Sequence, residues 1–209
     1  MLKIVSKLFF LSILFLIFAC TPRRVEIPSY EGVDVREVLA AKKPVSDIEA
    51  VFSITFEKED TSVKGDGKAN ISRTGDLDLR VYSFGFLAFE LAARDGIIKS
   101  NPPVDRNKAA ILTYGLRDCI FWWDIDEYRL EEEKDAFLFS TAVRKIWIDK
   151  KTMLPFKQMI SLSDDRELII TYENPEKING IWYPSKIRIQ LAQYSMILVI
   201  KEMLFVLET

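Results

Sequence analysis

The side chains able to do chemistry here are few, and the first fact about them is a gap: among 209 residues there is no histidine. Serine–histidine and cysteine–histidine nucleophiles, histidine-ligated zinc and the usual proton shuttle near neutral pH are thereby excluded. Two thiols remain, Cys20 and Cys119. Cys119 falls on a helical stripe with Ala109, Leu112, Leu116 and Ile120, with nothing nearby to lower its pKa, so it reads as a buried, inert thiol. The other candidates are carboxylates: Asp124, Asp126, Glu127 and the run Glu131, Glu132, Glu133. A calcium loop needs alternating acidic ligands and a central glycine, which are absent, so these read as a solvated acidic face. The residues imply neither metal nor cofactor, and an enzyme working through paired carboxylates is the third-ranked reading. A binding or carrier protein comes first.

Cys20 has a distinctive setting. Met1 to Lys7 carries two lysines, Leu8 to Phe18 is apolar apart from Ser12, and Ala19 precedes the cysteine. A run of eleven residues is too short for a bilayer core, which takes about 20 residues as a helix, so the segment reads as a cleaved secretory signal, 1–19. Leu16-Ile17-Phe18-Ala19-Cys20 resembles the bacterial lipobox, in which the cysteine is acylated and becomes the mature N-terminus. That resemblance implies lipidation of Cys20 and attachment to a membrane through N-terminal acyl chains, each buried CH₂ contributing about 0.8 kcal/mol. Thr21, where an aspartate would signal inner-membrane retention, implies the periplasmic face of the outer membrane. Residues 20–33, with Pro22, Pro28, Arg23 and Arg24, suit a tether, and with Cys20 acylated Cys119 has no disulfide partner.

The composition, 49% hydrophobic and 29% charged with a net charge of −2, is that of one globular domain, 34–209, and gives no reason to expect a nucleic-acid partner. Asp34 with Glu37 marks a short helix over 34–43, and Asp105 caps a second over 105–118. Elsewhere the period is two. Ile48, Ala50, Phe52, Ile54 and Phe56 share one face; alternation returns at 67–71, 77–81, 87–93 and 97–100. Further strands are expected at about 128–132, 136–141, 143–149, 154–162, 166–173, 181–191 and 195–206, with Asn179-Gly180 the most diagnostic turn. The expectation is a mainly β (α+β) fold: a curved antiparallel sheet or incomplete barrel of ten or eleven strands, its concave face covered by two helices.

Leu79-Arg80-Val81-Tyr82-Ser83-Phe84-Gly85-Phe86-Leu87-Ala88-Phe89-Glu90-Leu91 is similar to a strand, Pro-Leu-Gly loop and following strand in the LolA/LolB superfamily of lipoprotein carriers and receptors, with Ser83 for the proline and Phe84 for the leucine. Asn179 to Ile187 resembles that family's penultimate strand, and the lipobox points to its outer-membrane receptor branch. The resemblance implies a hydrophobic cavity for acyl chains of a lipoprotein or another amphiphile, a periplasmic carrier as partner, and an exposed apolar loop. That loop is Phe84 and Phe86 here, though Phe84 folded back under the helices is an equal reading. The inner-face set Phe52, Ile54, Leu79, Val81, Phe89, Leu91, Trp147, Phe156, Ile160, Ile170 and Ile189 lines either that cavity or a filled core. Phe121-Trp122-Trp123 is either an entrance group or satellite core. The runner-up function is a structural or assembly lipoprotein with a filled interior.

Overall fold

The computed structural model describes residues 27–30, 32–59, 61–178 and 180–208. The signal segment and Cys20 lie outside them.

Helix α1 (Val35–Ala40) is capped by Asp34, whose carboxylate accepts from the Arg36 amide. It is shorter than 34–43 because residue 43 precedes Pro44, whose ring disfavours helical backbone before it, and the last carbonyls are taken up by turns at 41–43. Strands β1 (Val45–Lys58), β2 (Thr61–Ser72), β3 (Leu77–Ser83), β4 (Phe86–Arg94) and β5 (Ile97–Asn101) form a meander. A helical rod follows: α2 (Arg106–Ala110), a π-type segment (Ile111–Gly115) and α3 (Leu116–Ile120). Asp105 caps it as expected, accepting from the Asn107 and Lys108 amides. The rod runs two residues beyond 118. In its widened middle the Thr113 hydroxyl donates to the Ala109 carbonyl at 2.8 Å, competing with the regular ladder.

A second meander comprises β6 (Arg129–Glu132), β7 (Ala136–Ser140), β8 (Arg144–Asp149), β9 (Pro155–Ser161), β10 (Glu167–Ile178), β11 (Ile181–Leu191) and β12 (Tyr194–Leu207). The longest strands, β1 and β12, pair with each other and join the two meanders into one antiparallel sheet of order β5-β4-β3-β2-β1-β12-β11-β10-β9-β8-β7-β6. The sheet is curved and not closed, with β5 and β6 at its edges. Among the described residues twelve strands are present, one for each alternating segment of the sequence, so ten or eleven undercounts them.

Pairing of β11 with β12 stops at Lys186–Val199. Pro184, which has no N–H to donate, lies just beyond that point. Trp123 fills the widening gap, packing against Tyr183 and Phe205 with ring centroids 6.3 and 6.4 Å away. Among the described residues one hydrophobic core lies between the concave face and the rod, and α1 closes one end through Val35 and Leu39. Of the expected tether, Pro28 is buried and the Tyr30 amide donates to the Lys151 carbonyl, so its described end is docked on the domain.

Candidate functional site

The rod is set on the sheet by a close approach. Gly115 faces β10 and β11, and a Cβ there would come within 2.9 Å of Ile189 Cγ2 and 3.3 Å of Leu168 Cδ1. The rod's C-terminal end is fixed by polar groups rising from the sheet. Arg144, on β8, is buried; its guanidinium donates to the carbonyls of Asp124 (2.8 Å), Asp118 (3.0 Å), Trp122 (3.3 Å) and Phe121 (3.4 Å) and to Gln158 Oε1 (3.3 Å). The Tyr183 hydroxyl lies 3.0 Å from the carbonyls of both Cys119 and Ile120, and the Tyr172 hydroxyl donates to Gln158 Oε1. These donors satisfy the carbonyls that a helix C-terminus leaves open. Burial pushes both tyrosines well above their usual pKa, so they stay neutral donors. Nothing in the sequence reading assigned Arg144, Gln158, Tyr172 or Tyr183 a role. The one local signal was an arginine on the parity of Ile146 and Ile148, where an apolar residue belongs.

At the other end of the rod the interior is open. A cleft of about 200 Å³ lies between the end of β1 to β4 and the start of the rod. Ile54 and Phe56 of β1, Val63 of β2, Val81 of β3 and Phe89 of β4 face Val104 and Leu112 across it, with Pro102 and Pro103 at the side. Register explains the floor: Ile54 lies opposite Gly65, Phe56 opposite Val63, and Val81 opposite Phe89. Gly65 allows a close approach of β3: a Cβ there would lie 2.5 Å from the Tyr82 carbonyl oxygen and 3.1 Å from Val81 Cγ1.

The residues expected to line a cavity separate into three groups. Ile54, Val81 and Phe89 line this cleft. Phe52, Leu79, Leu91, Ile160, Ile170 and Ile189 are buried in the packed core. Trp147 and Phe156 do not face the interior. Trp147 alternates with the buried Ile146 and Ile148, so it lies on the convex face, with the Lys157 ammonium 5.0 Å from its ring. Phe156 would share a face with Gln158 and Ile160, but a register shift seats Pro155 opposite Ile148 and leaves Phe156 as the extra residue, 43% exposed. Alternation alone misplaces both.

Phe84 is 99% exposed at the tip of the β3–β4 hairpin. Phe84 and Gly85 have φ of +51° and +82°, the pair of positive angles of a tight two-residue hairpin turn. It does not fold back under the rod. Phe86, Leu87 and Val63 add exposed apolar surface at the same end. Phe121, Trp122 and Trp123 are buried core rather than an entrance. Four of the six acidic residues are in ion pairs: Asp124 with Arg117, Asp126 with Lys43, Glu131 with Arg129 and Glu132 with Lys150. Among the described residues no cluster of three potential metal ligands occurs, and no helix is long and apolar enough to cross a membrane.

An open antiparallel half-barrel crossed by a helical rod, with an apolar cleft at one end, defines the class. Two solved structures are similar to it in fold: a DUF1329 family protein from Desulfovibrio piger (12% identity, 86% of this chain and 94% of that one, TM-score 0.53) and a LolA superfamily protein from Nitrosomonas europaea (12% identity, 82% and 93%, TM-score 0.50). No family model matches the chain, and no curated protein matches it. At this identity the likeness establishes the fold, which is the LolA-like one.

Proposed function

We propose that this is an acylated envelope lipoprotein, LolB-like in role, that binds the acyl chain of a lipoprotein or another amphiphile in the cleft beneath the rod and passes it to or from the outer membrane. The observation that carries the reading is the apolar cleft between Ile54, Phe56, Val81 and Phe89 on the sheet and Val104 and Leu112 above it. Its walls hold by area and need no directed bond, so binding and release require no titrating residue. The cleft is smaller than the roughly 300–1,000 Å³ of ordinary ligand pockets, so it seats part of one chain, and a longer chain enters by lifting the start of the rod. Lifting that start breaks the bonds of Tyr194 to Asp105 and of Arg166 to Asn107, which lie nearer the surface than the buried cap of Arg144 at the far end. The exposed Phe84 turn sits at the same end of the sheet, where a lipid would leave. In this reading residues 1–19 are removed, Cys20 is acylated, and the protein is a binding protein rather than an enzyme.

A photoreactive benzoylphenylalanine placed at Phe89 in the full-length chain in cells tests the reading. Ultraviolet light should yield lipid or lipoprotein adducts, and Leu112→Trp, which fills the cleft, should remove them. Absence of adducts at Phe89 overturns it. The packed state of Phe52, Leu79, Leu91, Ile160, Ile170 and Ile189 favours a second reading, a scaffold lipoprotein with a filled interior; that is the outcome such an absence supports.

A further inference from the structure

Three lysines surround the mouth of the cleft: Lys64 and Lys108 line it, Lys64 being exposed, and Lys58 lies beside it; Lys58 and Lys108 are seated on aromatic faces. Phe56 forms part of the cleft wall, and its ring packs on Tyr194 with centroids 5.9 Å apart. The Lys108 ammonium, from the rod, lies 5.6 Å from the Phe56 ring centroid, and the Lys58 ammonium, from the end of β1, lies 5.3 Å from that of Tyr194. Lys108 also lines the cleft. Among the described residues neither ammonium has a carboxylate within ion-pair distance.

The acidic groups nearby are already engaged or point elsewhere. Asp105 accepts from the Asn107 and Lys108 amides with one oxygen and from the Tyr194 hydroxyl with the other. Glu57, on the opposite parity of β1, pairs with Arg188. Glu59 is exposed in the turn that follows β1. An apolar slot with three lysines at its mouth, none in an ion pair with a described residue, and one carboxylate, Asp105, that is hydrogen-bonded and feels the charge of Lys108, is complementary to an apolar chain ending in a negative charge.

We propose that the cleft selects an anionic amphiphile, its acyl chain inserted between Phe89 and Leu112 and its charged headgroup held by Lys58 and Lys108. This rests on the cleft being a chain-binding site and adds which amphiphiles it takes. The cation–π contacts hold both ammonium groups near the rim, so little side-chain ordering is left for the ligand to impose. A charge in partly exposed surroundings gives a modest preference, of order 5- to 10-fold for two such contacts.

Native mass spectrometry of the full-length chain released from neutral detergent tests the proposal, with two single-chain probes of equal chain length: lysophosphatidylglycerol, net negative, and lysophosphatidylcholine, zwitterionic. The wild-type chain should bind the first about 5- to 10-fold more tightly, and the Lys58→Gln/Lys108→Gln variant should bring the ratio below about 2-fold. Each single variant should lose part of the preference, which keeps the test intact if the double variant folds poorly. Equal binding of both probes by wild type overturns the headgroup inference and leaves the chain-binding cleft standing. A preference that survives in the folded double variant overturns the role of these lysines. Binding of neither probe overturns the cleft reading itself, and this inference with it.

Discussion

Nη1 of Arg144 donates to the main-chain carbonyl of Asp124 at 2.8 Å, so a buried guanidinium on β8 holds the segment that leaves the helical rod. With Asp118, Phe121 and Trp122 also among its acceptors, Arg144 acts as a C-terminal cap supplied from another element. Its charge is offset by Asp118, 3.9 Å away, and by the partial negative charge at the end of a helix. Replacing it by Met keeps much of the apolar stem but leaves several buried carbonyls without a donor, while Gln158 keeps the Tyr172 hydroxyl. Arg144→Met should therefore cost about 3 kcal/mol in urea unfolding, and Arg144→Lys, which cannot reach all acceptors, somewhat less. A loss under about 1 kcal/mol for Arg144→Met would show that the cap is dispensable.

Gly115 tests how closely the rod sits. The backbone there is helical, so an added side chain meets no positive-φ strain and its cost is one of space. A Cβ already meets Ile189 at 2.9 Å, and a branched side chain must push the rod off the sheet. Gly115→Val should lose about 2 kcal/mol, while Gly115→Ala should fall between the two because its better helix propensity offsets part of the crowding. Chemical denaturation of both variants measures this directly, and a neutral Val would mean the rod is free to slide.

What was legible in the sequence follows the range of the forces involved. Asp34 and Asp105 cap the helices they were expected to cap, because a cap is decided within three residues. The strands were legible from alternation, and Cys119 from its helical stripe. Ile54, Val81 and Phe89 were placed on the cleft side by the same parity that put Phe52 and Ile170 there, yet only the first three border space. Whether a face is filled depends on which residues lie opposite, and those come from distant segments. Trp147 shows a parity taken from the larger side chain instead of from Ile146 and Ile148. Phe156 shows a bulge, which reverses the parity with no mark in composition. Arg144 and Tyr183 bond to the rod's end from residues dozens of positions away, and no local pattern encodes that.

Cys119 should be silent to reagents in the native protein. It is fully buried, its thiol lies 3.2 Å from the Leu116 carbonyl, and burial, with Asp118 adding to it, pushes its pKa well above the usual thiol value. Because the thiolate is the reactive form, iodoacetamide at pH 8 should leave Cys119 unmodified in the folded chain and modify it fully in denaturant. Rapid native labelling would mean that the rod's end opens readily, contrary to the anchoring by Arg144 and Tyr183.

Lys42 gives the clearest pH signature. Its ammonium lies 5.6 and 5.1 Å from the ring centroids of Trp122 and Trp123, and burial lowers its pKa from 10.5 to about 8. The ring faces favour the charged form and so oppose the lowering, but burial is the larger effect. Between pH 8 and 10.5 the unfolded chain holds a proton on this lysine that the folded chain has released, so stability rises with pH across that window. Lys42→Met, which keeps contact with both rings and carries no charge, should flatten that rise and be the more stable protein at pH 7. Unfolding curves from pH 7 to 10.5 for both proteins decide it; a slope unchanged by the substitution rules out Lys42 as its source.

Phe84 is held out by its backbone. A two-residue turn with positive φ at both positions leaves a phenylalanine nothing to pack against, a costly arrangement for a folded protein unless the ring meets something else. Burying it in lipid contributes about 1.5–3 kcal/mol, enough to dip the hairpin beside the cleft mouth into a membrane surface without anchoring it. In the full chain reconstituted into vesicles, Phe84→Trp should therefore be quenched by lipids brominated on the acyl chain, whereas the native tryptophans, of which Trp122 and Trp123 are fully buried, should not. Phe84→Glu should leave the unfolding midpoint within about 0.5 kcal/mol of wild type, because the ring makes no contact that folding needs. If Trp at position 84 escapes quenching while the chain is vesicle-bound, the hairpin points away from the bilayer, and any lipid leaving the cleft must do so without its help.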